Sequence, residues 1–222
     1  FFEMNRILMF VTLVAVAIST GCKKGLDRTS FGVLSPLNFP QTEAEFEIYA
    51  MEVYKPFGSK WTYSDGSTQY LWHGAEWSNP FINDLPSDLI AKFPEWGGAW
   101  RDMSEANFLP RINHGTNGHF QKTRFITRIT KIIDDVQAAS IDEAKKTQLV
   151  AEARMARGWL MYYLHTLYGP VPVILDPAKV GTEAEADLTR PERTTFVAAA
   201  AEDLRFAADN LIKSPSEYGR FN

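Results

Sequence analysis

Aromatic residues with polar neighbours are concentrated in one stretch of this 222-residue chain, residues 54–100. The stretch holds five of the six tryptophans, and amide, imidazole and hydroxyl groups lie beside them. Sugars present apolar C–H faces ringed by hydroxyls, so a flat ring can stack on the face while a polar neighbour bonds the edge. The residues best suited to such contacts are Trp61, Tyr70, Trp72, His73, Trp77 and Asn79.

The same aromatic residues have a structural alternative, because tryptophans in connecting segments often seal a hydrophobic core. We expect packing roles for Trp96 and Trp100, which begin a predicted helix over residues 96–112. For Trp61, Trp72 and Trp77 the sequence leaves both roles open. Ligand contact is therefore a hypothesis about those three rings and their polar neighbours.

Catalytic and metal-binding patterns are missing from the sequence. The histidines have no metal-ligand spacing, and a single cysteine excludes both an internal disulfide and a cysteine-rich zinc site. Acidic residues in the aromatic stretch could pair for glycoside hydrolysis, but their spacing gives no reason to place two of them face to face. The chain also has no G-x-S-x-G, P-loop or Rossmann fingerprint. We predict a protein that is not an enzyme and that needs no metal and no cofactor.

Helical periodicity dominates most of the remaining chain. Between residues 57 and 93 there is no clear period, and frequent glycine and proline indicate long loops and short turns. Residues 171–191 are predicted to be extended or irregular. The predicted helices cover residues 42–54, 96–112, 122–138, 140–168 and 194–211. Their short connections favour antiparallel helical pairs, and a net charge of −4 without a basic run argues against nucleic-acid binding.

The most specific segment is residues 151–173, which read AEARMARGWLMYYLHTLYGPVPV. Ser140 and Glu143 have the spacing of a capping box, so the helix is predicted to begin at Ser140. Gly169 suits a left-handed position after the helix end, and Pro170 prevents its continuation. One face of the helix repeats at steps of three and four, through Leu149, Ala153, Ala156, Leu160, Tyr163 and Leu167.

This segment resembles the signature of the SusD/RagB family, the outer-membrane nutrient-binding lipoproteins of Bacteroidetes-type bacteria. In that family a helix reading roughly E-A-R-x-x-R-A-x-x-Y-F-x-L ends in Y-G-x-V-P. Gly158 stands where alanine is usual, and we expect it to weaken the helix slightly without altering its role. The matching positions include Glu152, Ala153, Arg154, Arg157, Tyr162, Tyr163, Leu164, Tyr168, Gly169, Val171 and Pro172.

The N-terminus has the pattern of a lipoprotein signal peptide over residues 1–22. A short basic start precedes an apolar run, residues 7–18, that is too short to span a bilayer. Cys22 directly follows Gly21, where a bacterial lipoprotein is cut and acylated. The alternative is an ordinary secreted protein with a free thiol, which would be a liability in an oxidising compartment.

The resemblance implies an all-α fold of tetratricopeptide-like helical pairs with long irregular loops. It implies that residues 23–222 are the N-terminal region of a longer protein whose C-terminal part is missing. It assigns a structural role to the signature residues Glu152, Arg154, Arg157, Tyr168, Gly169 and Pro172.

The function implied by the resemblance is capture of oligosaccharides, such as those of starch, in polysaccharide utilisation. The protein would be lipid-anchored through Cys22 to the cell outer membrane and surface-facing, with a SusC-like TonB-dependent transporter as its partner. Two alternatives remain open: a SusD-like protein that binds peptide, and a helical-repeat adaptor that binds a protein partner.

Overall fold

The computed structural model describes residues 39–58, 60–62, 68–70, 84–89, 101, 104–106, 120, 122–186, 188–214 and 217–222. Within these residues the regular structure is almost entirely helical, as the sequence predicts. A 3-10 turn, Met51–Tyr54, continues the first helix, and two more, Pro177–Lys179 and Glu183–Glu185, lie before the last. The α-helices are α1 (Glu43–Ala50), α2 (Thr123–Ala138), α3 (Glu143–Tyr168) and α4 (Arg193–Asn210).

A short antiparallel hairpin lies within the stretch predicted to contain only loops and turns. Its strands are β1 (Lys60–Thr62) and β2 (Thr68–Tyr70), paired so that Trp61 is opposite Gln69. Strands of three residues are too short to produce the alternation by which a strand is recognised in a sequence. The predicted helix over residues 96–112 lies largely outside the described residues.

A capping box begins α1 at Thr42, the first residue of the helix predicted over residues 42–54. The Glu45 backbone N–H donates to the Thr42 hydroxyl at 3.3 Å, and the Thr42 N–H donates to the Glu45 carboxylate at 2.9 Å. These bonds satisfy donors that the first helical turn leaves unpaired. They also lower the pKa of Glu45, chiefly through the backbone N–H groups of Gln41 and Thr42.

The predicted start of α3 at Ser140 is wrong, because Asp142 caps the helix instead. The Asp142 carboxylate accepts hydrogen bonds from the backbone N–H groups of Ala144 and Lys145, each at 3.0 Å. A carboxylate interacts with the positive end of the helix more favourably than a hydroxyl does. The Glu43 carboxylate also accepts from the Asp142 N–H at 3.2 Å, so α1 helps to set this start.

Gly169 ends α3 at a backbone conformation that requires glycine. Its φ of 73° and ψ of −161° fall in a region that side chains with a Cβ do not tolerate. Gly169 donates to the His165 carbonyl at 2.9 Å. Arg190 then donates to the carbonyls of Tyr168 (2.8 Å) and Pro170 (2.7 Å), which secures the turn that follows the helix.

Helices α2, α3 and α4 pack together with α3 in the centre, antiparallel to both of its neighbours. Residues 139–142 join α2 to α3, a connection short enough to require a reversal of direction. Along α3, contacts to α4 run from Arg154 with Phe206 to His165 with Phe196, so these two helices are also antiparallel. The core between the helices includes Ile126, Ile129, Ile132, Val136, Leu149, Ala153, Ala156, Leu160, Leu164, Phe196 and Ala200.

Helices α3 and α4 approach each other closely at Gly158. A Cβ at Gly158 would lie 3.0 Å from the Asp203 Cβ, 3.0 Å from the Leu204 Cγ and 3.1 Å from the Ala200 carbonyl oxygen. The expectation from sequence covered only the loss of helix propensity. The structure adds that the missing side chain makes room for α4.

A buried ion pair crosses the same interface. Arg157 bonds both oxygens of Asp203, at 2.6 Å from Nε and 2.9 Å from Nη2, and the two side chains are only 11% and 4% exposed. Arg157 Nη1 also donates to the Thr130 hydroxyl at 3.0 Å. Thr130 in turn lies 2.9 Å from the Ile174 carbonyl, so one arginine connects α2, α4 and the segment after α3.

We expect Gly158→Ala to destabilise the protein by about 1–2 kcal/mol, although alanine in a helix is intrinsically better by about 1 kcal/mol. The reason is that Asp203 is held by Arg157 and cannot easily move away from a new Cβ. Urea unfolding measures the change in stability. Ala198→Gly, on the exposed side of α4, measures the difference in helix propensity between alanine and glycine without the close contact. A gain in stability for Gly158→Ala would show that the close approach is not a constraint.

We expect Asp203→Asn to cost roughly 3 kcal/mol, because it leaves Arg157 charged and buried without its counter-ion. The matched control is Glu202→Gln, which removes the adjacent acid, 74% exposed and 3.6 Å from Arg154. That change is expected to cost less than about 0.5 kcal/mol. Equal effects of the two substitutions in chemical denaturation would contradict a special role for the buried pair.

Candidate ligand-binding site and its helical platform

The sequence-predicted ligand residues fall in two groups. Trp72, His73, Trp77 and Asn79 lie outside the described residues, as does the predicted lipid-attachment residue Cys22. Trp61 is in β1 and Tyr70 is in β2, so the backbone of one hairpin brings these two positions near each other. The ligand-contacting role of all six residues stays a prediction.

Phe57, near the start of the aromatic stretch, and Phe120, twenty residues after its end, both pack against α3. The Phe57 ring lies 5.5 Å from the Trp159 ring. The Phe120 ring meets Tyr168 edge-on at 5.4 Å. Trp159 also stacks on Tyr163 at 5.3 Å, so the partner ring in both contacts belongs to α3.

Lys122, two positions after Phe120, bonds directly to Pro56, the residue before Phe57. Its ammonium group donates to the Pro56 carbonyl at 2.6 Å, across 66 positions of sequence. The residue is 1% exposed. Burial lowers the pKa of Lys122 to about 7, and the nearby charge of Arg124 acts in the same direction.

Tyr54 connects the chain just before Phe57 to the core around α3. Its hydroxyl donates to Glu152 at 3.0 Å and accepts from the Phe221 backbone N–H at 3.0 Å. The Tyr54 and Phe221 rings stack at 4.5 Å, and Phe221 also contacts Phe57 at 5.4 Å. Burial, together with the Glu152 charge, raises the pKa of Tyr54 beyond its usual range, so its hydroxyl remains a donor at neutral pH.

Glu152 is balanced by Arg220. The guanidinium bonds both carboxylate oxygens, at 3.0 and 2.9 Å, and the side chains are 3% and 5% exposed. Arg220 also bonds Glu47 at 2.7 Å and Glu217 at 2.9 Å. Burial alone would lower the pKa of Arg220, but the surrounding carboxylates, Glu217 and Glu152 first, raise it above its usual range.

The other signature residues also make contacts within the helical framework. Arg154 lies over the Phe206 ring at 4.4 Å and is 3.7 Å from Asp203. Arg157, Tyr168 and Gly169 hold α3 as described above, and Pro172 lies partly buried in the extended segment after it. These contacts place the signature residues within the platform.

Sequence reasoning missed Lys122, Arg220 and Tyr54 as parts of this platform. Lysine and arginine are usually exposed, and no local pattern distinguishes a buried one. Their partners are distant in sequence, so only the fold identifies them. The sequence signal that could have helped is Glu152, a carboxylate between apolar positions of a helix, which requires a cation.

The described residues contain no group of three histidine, cysteine or acidic side chains that could hold a metal ion. None of the helices described is both long and apolar enough to cross a bilayer. A shallow groove of about 520 Å³ lies on the exposed side of α4, with a described lining that contains no aromatic ring: Arg193, Thr194, Val197, Ala198, Ala201 and Arg205.

Comparison with known proteins gives two curated relatives. A SusD-like protein of Bacteroides ovatus is 30% identical over 105 residues, which cover 47% of this chain and 18% of that protein. SusD-like protein P2 of Formosa agariphila is 24% identical over 212 residues, covering 95% of this chain and 38% of that protein. The chain therefore spans less than two-fifths of the length of either relative.

No protein-family model matches the chain. One crystal structure aligns with 82% of the chain and 32% of its own length, at 20% identity and a TM-score of 0.47.

The chain is thus similar to one SusD-like protein over 95% of its length and to another over 47%. The signature helix that suggested this likeness ends at Gly169 and carries Glu152 and Arg157 into the helical core.

Proposed function

We propose that this chain is the N-terminal region of an outer-membrane lipoprotein that binds oligosaccharides for import. The bound sugar passes to a SusC-like TonB-dependent transporter that the protein accompanies at the cell surface. The observation that carries this proposal is the relationship to SusD-like proteins, one of which aligns with 95% of the chain. The concentration of tryptophan and tyrosine in residues 54–100 favours carbohydrate as the ligand.

The platform supports this function because one long helix holds the chain both near the start of the aromatic stretch and twenty residues after its end. Phe57 packs on Trp159 and Phe120 packs on Tyr168. A ring that is already positioned loses less conformational freedom when a sugar binds, so more of the contact energy appears as affinity. Stacking by the rings of Trp72 and Trp77, with hydrogen bonds from His73 and Asn79, is the proposed mode of binding.

The proposed activity is binding without chemistry. Glu152 and Asp203, the buried acids among the described residues, are each bonded by an arginine inside the helical core. That arrangement suits structural pairing and not proton transfer to a substrate. Capture at the membrane therefore rests on affinity and on the partner transporter.

Two alternatives remain. One is a SusD-like protein whose ligand is a peptide, which a screen of glycans and peptides against the full-length protein distinguishes. The other is a helical-repeat adaptor, which predicts capture of a protein partner other than a barrel transporter. The presence of a transporter gene beside the gene for this chain would favour import over the adaptor.

We expect Trp72→Ala combined with Trp77→Ala to weaken polysaccharide binding by tenfold or more, because both stacking surfaces are removed. Affinity electrophoresis of the full-length protein in gels containing starch or other polysaccharides measures the loss. The control is Tyr162→Ala, which removes a ring that is 58% exposed on α3, outside the stretch. Unchanged retention of the double variant would exclude these two residues from the site.

We expect Cys22→Ser to abolish incorporation of labelled palmitate and to move the full-length protein from the membrane fraction to the soluble fraction. The reason is that lipid chains bound through this cysteine supply the proposed anchor. Labelling and fractionation of cells expressing both forms give the readout. Membrane association that persists in Cys22→Ser without any label would contradict the anchor.

A further inference from the structure

We propose that the groove on the exposed side of α4 is a docking surface for an acidic amphipathic helix from the remainder of the full-length protein. This groove, called the α4 groove below, runs along the helix from Arg193 to Arg205. The inference rests on the proposed function in one respect, because it takes this chain to be the N-terminal region of a longer protein. It does not depend on whether the ligand is a sugar.

The floor of the α4 groove is apolar, where a solvated helix face would be polar. The helix buries Phe196, Ala200 and Ala207, and the groove lies on another side of it. Val197 is 44% exposed in the groove, and Ala201 follows it one turn later. The exposed side of an amphipathic helix usually carries charged and polar residues. A floor of short aliphatic side chains instead allows a second helix to pack closely.

The two arginines at the ends of the α4 groove are unpaired. Neither Arg193 nor Arg205 forms an ion pair or a hydrogen bond with any residue that the structure describes. Other arginines of the helical framework bond an acid or a carbonyl, namely Arg128, Arg157, Arg190 and Arg220. Arg193 also lies in the first turn of α4, where the helix dipole disfavours a positive charge. Carboxylates on an occupant would balance both arginines, so the charge pattern favours an acidic helix.

The relatives indicate where such a helix comes from. The alignment with SusD-like protein P2 covers 95% of this chain but only 38% of that protein, so more than half of the relative lies outside it. In proteins built from stacked helical pairs, each pair contacts its neighbours along the chain, and only a terminal pair has a polar outer face. The apolar floor of the α4 groove is not such a face. We therefore assign the occupant to the same polypeptide.

Cysteine labelling of the full-length protein tests whether the α4 groove is covered. Val197→Cys places a thiol on the groove floor, and Glu202→Cys places one on a different side of α4, at a residue that is 74% exposed. Both are made together with Cys22→Ser, and labelling of Cys22→Ser alone is subtracted. Each native rate is divided by the rate of the same variant in urea.

The thiol at position 197 is expected to react with a maleimide at least tenfold more slowly than the thiol at position 202, because the docked helix excludes the reagent. Any smaller difference would mean that the α4 groove is open and would overturn the proposal.

Photo-crosslinking identifies the occupant. A diazirine side chain is incorporated at Thr194, at the edge of the α4 groove, and crosslinked peptides of the full-length protein are mapped by mass spectrometry. A peptide that follows Asn222 in the same molecule would support the proposal. A peptide from a second copy, from another protein or from residues 1–121 would overturn it, as would the absence of any crosslink.

Charge reversal tests whether the occupant is acidic. Arg205→Glu sets a carboxylate against an acidic helix, so it is expected to raise the labelling rate at position 197 at least tenfold. The matched control is Lys213→Glu, which makes the same change at an exposed residue after α4 that does not line the groove. Equal labelling rates in the two charge variants would contradict an acidic occupant.

Polysaccharide binding by the same full-length protein separates this proposal from the proposed function. A covered α4 groove in a protein that binds no polysaccharide would support the docking surface and contradict the oligosaccharide function. An open groove in a protein that does bind polysaccharide would overturn the docking surface alone.

Discussion

Charges that α3 carries into the core must be paired, and this requirement determines much of the arrangement around it. An unpaired ion in a helical core costs several kcal/mol, so each buried charge needs a counter-ion from elsewhere in the chain. Glu152 receives Arg220, and Arg157 receives Asp203. The first pair fixes residues 217–222 against α3, and the second fixes the register of α4. A shift of either element along α3 would break a buried pair.

Such pairs specify an arrangement more than they stabilise it. The attraction between two buried ions roughly offsets the loss of their hydration, so the net gain is small even when the geometry is good. The apolar residues between α2, α3 and α4 supply the main driving force for folding. The charges favour this one arrangement of the helices, because an alternative packing with the same apolar contacts would leave an ion unpaired. Gly158 acts with them by allowing α4 to approach at the level of Asp203.

The sequence predicted the helices well, because their signals are local. The cap at Thr42 and the stop at Gly169 depend on a few neighbouring residues, and the apolar stripe of α3 repeats along one face. The features that were predicted wrongly or missed depend on residues that are distant in the sequence. Asp142 replaced Ser140 as a cap partly because Glu43 bonds its backbone. The partners of Glu152 and Lys122 are 68 and 66 positions away, beyond the reach of any spacing rule. The sequence predicted the candidate site only as a set of rings and polar groups. The ligand-contacting role of those residues stays a prediction.

Contacts converge on one side of α3, where Tyr54, Phe57, Trp159 and Phe221 pack together and Glu152 is neutralised. Tyr54 and Phe57 are also the first aromatic residues of the stretch at residues 54–100, so this stretch begins on the helical core. The signature residues Glu152, Arg154 and Arg157 make their contacts inside the same core. The contacts that hold α3 against α4 and against residues 217–222 are therefore separate in sequence from Trp72 and Trp77, the rings proposed to bind the ligand.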